Sequence, residues 1–375
     1  TGVQTCALPI YNSLTTAERA QYKAEAKIFR AMVMFDMVRL WGDFPVITTV
    51  ADDITSENID EVYPQYFPKQ NTELEAYQQI EKDLLDAVLY APDNTPGNKT
   101  LFSKSVARTL LAKIYAEKPL RDYTKVIQYC DEVKEDGFDL VDDFSDLFGM
   151  NAAGTDAKMR NTKESILEAQ FTSGAGNWCT WMFGRDLVNW NNNFTWAKWV
   201  TPSRDLISAF KQEGDEVRFK ESIVYYDCNW SNYYPSDNYP FMYKCRSANS
   251  SIIKYRYADV LLLKAEALIM QDTPDLEGAA DIIDEVRDRA KLGALPTSVR
   301  SNKNVLLNAL LKERRLELAF EGQRWFDLVR LDKVEEVINA VYAKDSGRKA
   351  QIYTFDKNSY RLPIPQSVID ANDKI

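Results

Sequence analysis

Ala107-Arg-Thr-Leu-Leu-Ala-Lys113, followed by Asp131-Glu-Val133, has a near copy further along the chain: Ala258-Asp-Val-Leu-Leu-Leu-Lys264, followed by Asp284-Glu-Val286. The offsets of the two halves differ by two residues. Each copy reads as a helix, a short turn carrying Pro119 or Pro274, and a second helix. One such hairpin cannot bury its apolar face alone, so the pattern is that of a tetratricopeptide-like repeat and implies that several stack. The expected fold class is mainly α, built of helical hairpin repeats.

Helical periodicity extends outward from both copies. Upstream, Thr15 and Glu18 have capping-box spacing, and Tyr22, Ala26, Phe29, Val33, Met37 and Leu40 recur at three and four residues until Gly42 stops the helix. A second helix opens at Thr72, with Glu75 three residues on, and runs toward Tyr90 before the turn residues of Pro92 to Gly97. Downstream, a further hairpin carries Leu307, Leu310, Leu311 and Leu318 on one face, breaks at Gly322 and resumes with Trp325, Phe326, Leu328 and Val329. Residues 150–250 interrupt this rhythm with Asn, Gly, Ser, Tyr and Trp, apart from one helix near Pro202 to Gln212. An insertion of this kind between helical repeats projects from one face and often carries the binding surface.

The composition excludes several classes of function. The chain has 375 residues and is 45% hydrophobic, enough for a packed core. Its net charge is -10, and no run of Lys and Arg could track a phosphate backbone, so no nucleic acid is expected as a partner. The longest apolar stretch, Val260 to Met270, is interrupted by Lys264 and Glu266 and is too short to span a bilayer. There is no histidine, which removes Ser-His-Asp and Cys-His nucleophiles and His-ligated metals. Cys6, Cys130, Cys179, Cys228 and Cys245 show no metal-knuckle or redox spacing and read as core thiols or one or two disulfides. No cofactor and no metal are expected.

The chemistry lies in the insertion. Trp178, Trp181, Trp190, Trp196, Trp199 and Trp230 fall there, followed by Tyr225, Tyr226, Tyr233, Tyr234, Tyr239 and Tyr243, and interleaved with amides that include Asn191 and Asn192, together with Arg185. A pyranose has an apolar face that stacks on an aromatic ring and hydroxyls that each need a donor and an acceptor, which Asn supplies. Burying about 80 Å² of sugar face contributes on the order of 2 kcal/mol per ring. Two rings and a few hydrogen bonds then give roughly micromolar to millimolar affinity after association costs, which suits capture and release. The candidate ligand-binding residues are Trp178, Trp181, Arg185, Trp190, Asn191, Asn192, Trp196, Trp199, Trp230, Tyr233 and Tyr234. Other rings of the insertion are expected to fill its core.

Two other charged features read as structural. Asp142, Asp143 and Asp146 share one loop, but a glycosidase pair is defined in space, and the spacing is not that of a calcium loop. Glu313-Arg-Arg-Leu-Glu-Leu-Ala-Phe-Glu-Gly-Gln-Arg-Trp-Phe-Asp-Leu328 sets charges within an apolar stripe, and Arg314 is expected to pair with Glu317, Glu321 or Asp327 and fix how two helices meet.

Four motifs in order resemble one known family. Glu25-Ala-Lys-Ile-Phe-Arg-Ala31 running into Phe35-Asp-Met-Val-Arg-Leu-Trp-Gly-Asp-Phe-Pro-Val46 is similar to the early helix and turn of SusD/RagB proteins. Arg256-Tyr-Ala-Asp-Val-Leu-Leu-Leu-Lys-Ala-Glu-Ala267 resembles their third repeat, Glu313 to Arg330 their fourth, and Leu362-Pro-Ile-Pro-Gln366 their closing motif. The resemblance implies an outer-membrane nutrient-binding lipoprotein. Such a protein would capture oligosaccharides or polysaccharides at the cell surface, deliver them to a SusC-like TonB-dependent transporter, and be no enzyme. It also implies a membrane attachment through an N-terminal lipid anchor that this chain does not carry. A peptide-binding RagB-like member is the alternative reading, and a protein-binding helical repeat scaffold a further one.

The opening Thr1 to Ile10 resembles translated sequencing adapter and has no signal-peptide pattern. The expected organisation is therefore a non-native segment over 1–10, a SusD-like helical region over 11–149, the ligand-binding insertion over 150–250 and SusD/RagB repeats over 251–375, in one compact unit.

Overall fold

A computed structural model describes residues 14–171, 176, 200–227, 234–235, 237–344, 354–372 and 374–375. Helices dominate them, as the hairpin pattern predicts. The chain packs as two compact units: Thr1–Asp93, Phe102–Asp122 and Phe355–Ile375 form the first, and Asn94–Leu101 and Tyr123–Thr354 the second.

In the first unit, α1 (Thr16–Trp41) and α2 (Glu73–Tyr90) both open on capping boxes. The Thr15 hydroxyl accepts the Glu18 N–H at 3.2 Å while the Glu18 carboxylate accepts the Thr15 N–H at 2.7 Å; Thr72 and Glu75 repeat the arrangement. These bonds satisfy amides that the first helical turn leaves without partners. α1 packs on α2, and α2 on α3 (Lys104–Ala116).

The packed face of α1 differs from the expected one. Ala24, Ile28, Ala31, Phe35 and Val38 are buried, whereas Tyr22 and Phe29 are about half exposed. Both stripes have helical spacing. The buried one contains two alanines, which let the backbones of α1 and α2 approach closely, with the Phe35 and Tyr77 rings edge to face at 6.2 Å.

The turn after α1 joins the ends of the chain's sequence within this unit. Gly42 has φ +79°, a region open to glycine, and the Arg361 side chain would lie 3.5 Å from a Cβ there. Arg361 donates to the Arg39 carbonyl at 3.2 Å and to Glu73 at 2.6 Å, and the Leu362 N–H donates to the Leu40 carbonyl at 2.7 Å. Asp43 accepts the Glu73 N–H at 2.8 Å and so seats the start of α2. The first and last motifs read from the sequence thus form one contact.

The second unit contains α4 (Tyr123–Glu135), β1 (Ser165–Ala169), α5 (Arg204–Glu213), β2 (Ile223–Tyr226), β3 (Tyr239–Met242), β4 (Ile252–Arg256), α6 (Tyr257–Met270), α7 (Leu276–Arg289), α8 (Lys303–Glu317), α9 (Arg324–Arg330) and α10 (Val334–Lys344). α6 is apolar around nearly its whole girth and is buried accordingly, packing on α4, α7 and α8. Leu306 and Leu310 face the core from α8, while Leu307, expected on that face, is only half-buried. β1 pairs antiparallel with β4, and β2 with β3 in the register Ile223↔Met242 to Tyr226↔Tyr239. These two short ladders were not expected: their strands are four or five residues long, and only Ile223-Val224 and Ile252-Ile253 among them are β-branched runs.

Candidate functional site

Ten of the expected ligand residues, Trp178, Trp181, Arg185, Trp190, Asn191, Asn192, Trp196, Trp199, Trp230 and Tyr233, lie outside the described residues. Tyr234 lies inside them. It is 9% exposed, its hydroxyl donates to the Pro202 carbonyl at 2.6 Å, and its ring meets Tyr239 edge to face at 5.7 Å. Tyr239 in turn shares a hydrogen bond of 2.7 Å with Thr201. Both tyrosines belong to an apolar cluster with Leu206, Ile207, Phe210 and Phe241, with Tyr225, Tyr226 and Tyr243 packed against it. At least these rings fill the core of the insertion, as expected for part of the aromatic set.

Ile207 and Tyr234 of this cluster, with Tyr225 packed against it, also line an open pocket of about 430 Å³. Ser203 caps α5 by accepting the Leu206 N–H at 3.1 Å, which fixes the helix start. From there Arg204, Ile207, Ser208 and Lys211 follow at helical spacing and form one wall, with Gln212 at its end; Tyr225, Tyr234 and Asn238 form the other. The Arg204 guanidinium lies 5.2 Å from the centre of the Tyr234 ring. The sequence reading marked neither Arg204 nor Lys211. Their seven-residue spacing on one helix is the signal that could have found them.

The charged motif residues serve the scaffold. Glu317 is fully buried and accepts from Arg218 at 3.0 Å, from Arg256 at 2.5 Å and from Arg289. Glu164 accepts from Arg256 at 2.7 Å and from Arg289 at 2.8 Å. Burial alone would raise the Glu317 carboxyl, but Arg289, Arg256 and Arg218 outweigh it and hold it well below the ordinary carboxylate value. Arg314 makes a two-pronged contact with Asp327, at 2.8 and 2.9 Å, and reaches Asp259 on α6 at 2.7 Å. Of the three expected partners of Arg314, Asp327 is the one it meets; Glu317 and Glu321 serve other cations. Arg330 closes the set on Glu266 at 2.9 and 2.7 Å. The third- and fourth-repeat motifs are therefore two sides of one ionic core joining β4, α6, α8 and α9. Glu164, just before β1, belongs to no recognised motif.

The aspartates of the loop before β1 are paired with lysines. Lys163 bridges Asp139 and Asp142, and Lys158 bridges Asp143 and Asp146. The Ser145 N–H donates to Asp143 and is the main cause that pulls its carboxyl down to about 2. Among the described residues no group of carboxylates and thiols is placed to hold a metal ion, and no helix is long and apolar enough to cross a membrane. Cys130 and Cys245 are buried.

Comparison with known proteins sets this architecture among relatives. A family model described as "SusD family" matches residues 235–375, and one described as "Starch-binding associating with outer membrane" matches residues 7–116. The chain belongs to the SusD/RagB family. A SusD-like protein of Formosa agariphila is 28% identical over 94% of this chain and 72% of its own length, and one of Bacteroides ovatus is 26% identical over 84% and 60%. Among solved structures, a SusD-like carbohydrate-binding protein of Bacteroides fragilis superposes with a TM-score of 0.75 at 19% identity, covering 98% of this chain and 82% of that one. A laminarin-binding SusD-like protein gives 0.69 at 23%, covering 96% and 79%. This SusD/RagB protein is a binding protein and not an enzyme. The two family models leave residues 117–234 unmatched, the stretch that holds the insertion's tryptophans.

Proposed function

We propose that this protein captures glycans at the outer membrane and delivers them to a SusC-like TonB-dependent transporter, held at the cell surface by an N-terminal lipid anchor. The ligand is bound by aromatic and amide side chains of segment 150–250. The observation that carries this reading is the open pocket of about 430 Å³ lined by Tyr225 and Tyr234 and by Gln212 and Asn238, all of them except Asn238 within the stretch 117–234 that the family models leave unmatched. Rings and amides suit sugars, and weak stacking suits a carrier that must release its cargo. A relative that binds laminarin and a family model named for starch support a glycan as the nutrient.

The test is retention of purified protein in gels cast with a panel of polysaccharides, beside a panel of immobilised peptides. Retention by at least one glycan, abolished when Trp190 and Trp196 are replaced by alanine, is the expected result. Retention by peptides alone would favour the RagB-like alternative, and glycan binding untouched by any insertion substitution would move the site to the helical scaffold.

A further inference from the structure

Tyr225 and Tyr234 both line the pocket on α5, but they differ in what they have left to offer a ligand. Tyr234 is 9% exposed, its hydroxyl is spent on the Pro202 carbonyl at 2.6 Å, and its ring is met edge to face by Tyr239. Its place in the sequence set it among the expected ligand residues, whereas its bonds tie the wall of the pocket to the start of α5. Tyr225 is only partly buried, and its hydroxyl has no partner among the described residues. The strand explains the difference. Side chains alternate along β2, so Ile223 and Tyr225 share one face; Ile223 is buried in the cluster, while Tyr225, two residues on, rests near Phe219 at 6.3 Å and reaches the pocket. A ring packed on its apolar body and open at its polar tip suits the face of a pyranose.

Two amides stand ready beside this ring. Gln212 donates to the Ser208 hydroxyl at 3.1 Å, one turn back on α5, which orients its side chain and leaves its carbonyl and second N–H open. Asn238 is held through its backbone N–H, which donates to the Pro235 carbonyl at 3.1 Å, and its exposed side-chain amide has no partner among the described residues. Each amide offers a donor and an acceptor, as sugar hydroxyls require. The pocket of about 430 Å³ lies toward the small end of ligand sites, roughly 300–1,000 Å³, and so has room for a short stretch of a glycan chain.

We infer that Tyr225 is the ring on which this pocket seats a sugar, with Gln212 and Asn238 bonding its hydroxyls, and that Tyr234 supports the wall. The inference rests on the glycan-capture reading above and locates one subsite of it. The test measures retention of the full chain in gels cast with amylopectin, barley β-glucan, xylan, galactomannan or pectin. Y225A is expected to lose roughly tenfold or more in affinity for a retained glycan, and Y225W, which restores a ring, to recover most of it. Q212A/N238A, at two exposed positions, is expected to lose roughly threefold or more. Y90A removes an exposed tyrosine in the other unit and keeps wild-type affinity, and circular dichroism reports whether each variant is folded. Wild-type affinity in folded Y225A would overturn the inference and leave glycan capture standing. Should Y225A not fold, wild-type affinity in Q212A/N238A would overturn it instead. Retention of the wild type by no glycan would remove both readings together.

Discussion

Glu317 receives three arginines in a fully buried site, so its charge cannot be removed quietly. Replacing it with glutamine keeps the shape but leaves Arg218, Arg256 and Arg289 short of a counter-ion. E317Q is expected to lose about 3–5 kcal/mol of stability, measured by urea unfolding. Lys244 offers a test by pH. Burial pushes its ammonium down to about 8, with Glu321 at 2.5 Å offsetting only part of the effect. Between about 8 and its ordinary 10.5 the unfolded chain holds the proton that the folded chain has released, so this group makes stability rise with pH across that window. The slope of unfolding free energy against pH between about 8 and 10 should be less positive in K244M than in the wild type. The sequence showed these charges as a motif, and a structural role for Arg314 was legible because it sat in an apolar stripe. The choice of Asp327 over Glu317 and Glu321 was not, since it depends on how α8 and α9 cross.

At the scale of elements, the signals that could be read were local ones. Capping boxes at Thr15 and Thr72, the stop at Gly42 and the break at Gly322, where φ is +76°, all lie where neighbouring residues decide conformation. T72A should cost about 1 kcal/mol by thermal or urea unfolding, because it leaves N-terminal amides of α2 without a partner. G42A should cost about 1–3 kcal/mol, because φ of +79° strains any residue with a Cβ. What remained illegible was set by tertiary packing. α1 carries two apolar stripes, and only the presence of α2 decides that Ala24, Ile28 and Phe35 turn inward while Tyr22 and Phe29 stay exposed. The β2–β3 ladder was hidden for a related reason: Tyr and Phe serve a strand and a sugar equally well, and the Tyr234 bond to Pro202 is a contact no spacing rule foretells.

Over the whole molecule, the motifs that identify the family and the residues proposed to bind ligand are different sets. Arg256, Asp259, Glu266, Arg314, Glu317, Asp327 and Arg330 are buried and bonded to one another, and they fall within the matched span 235–375. The proposed ligand residues, Asn238 excepted, fall in the unmatched 117–234. A scaffold fixed by buried ion pairs can hold its geometry while surface segments vary with the nutrient, which is why the family was legible in the sequence and the ligand was not. The most direct measurement is binding and turnover on one glycan panel, read by gel retention and by release of reducing sugar. The expected result is retention without hydrolysis, lost in the Trp190 and Trp196 double alanine variant while its unfolding midpoint stays within a few degrees of wild type. Hydrolysis of any retained glycan, or a panel in which no glycan is retained, would contradict it.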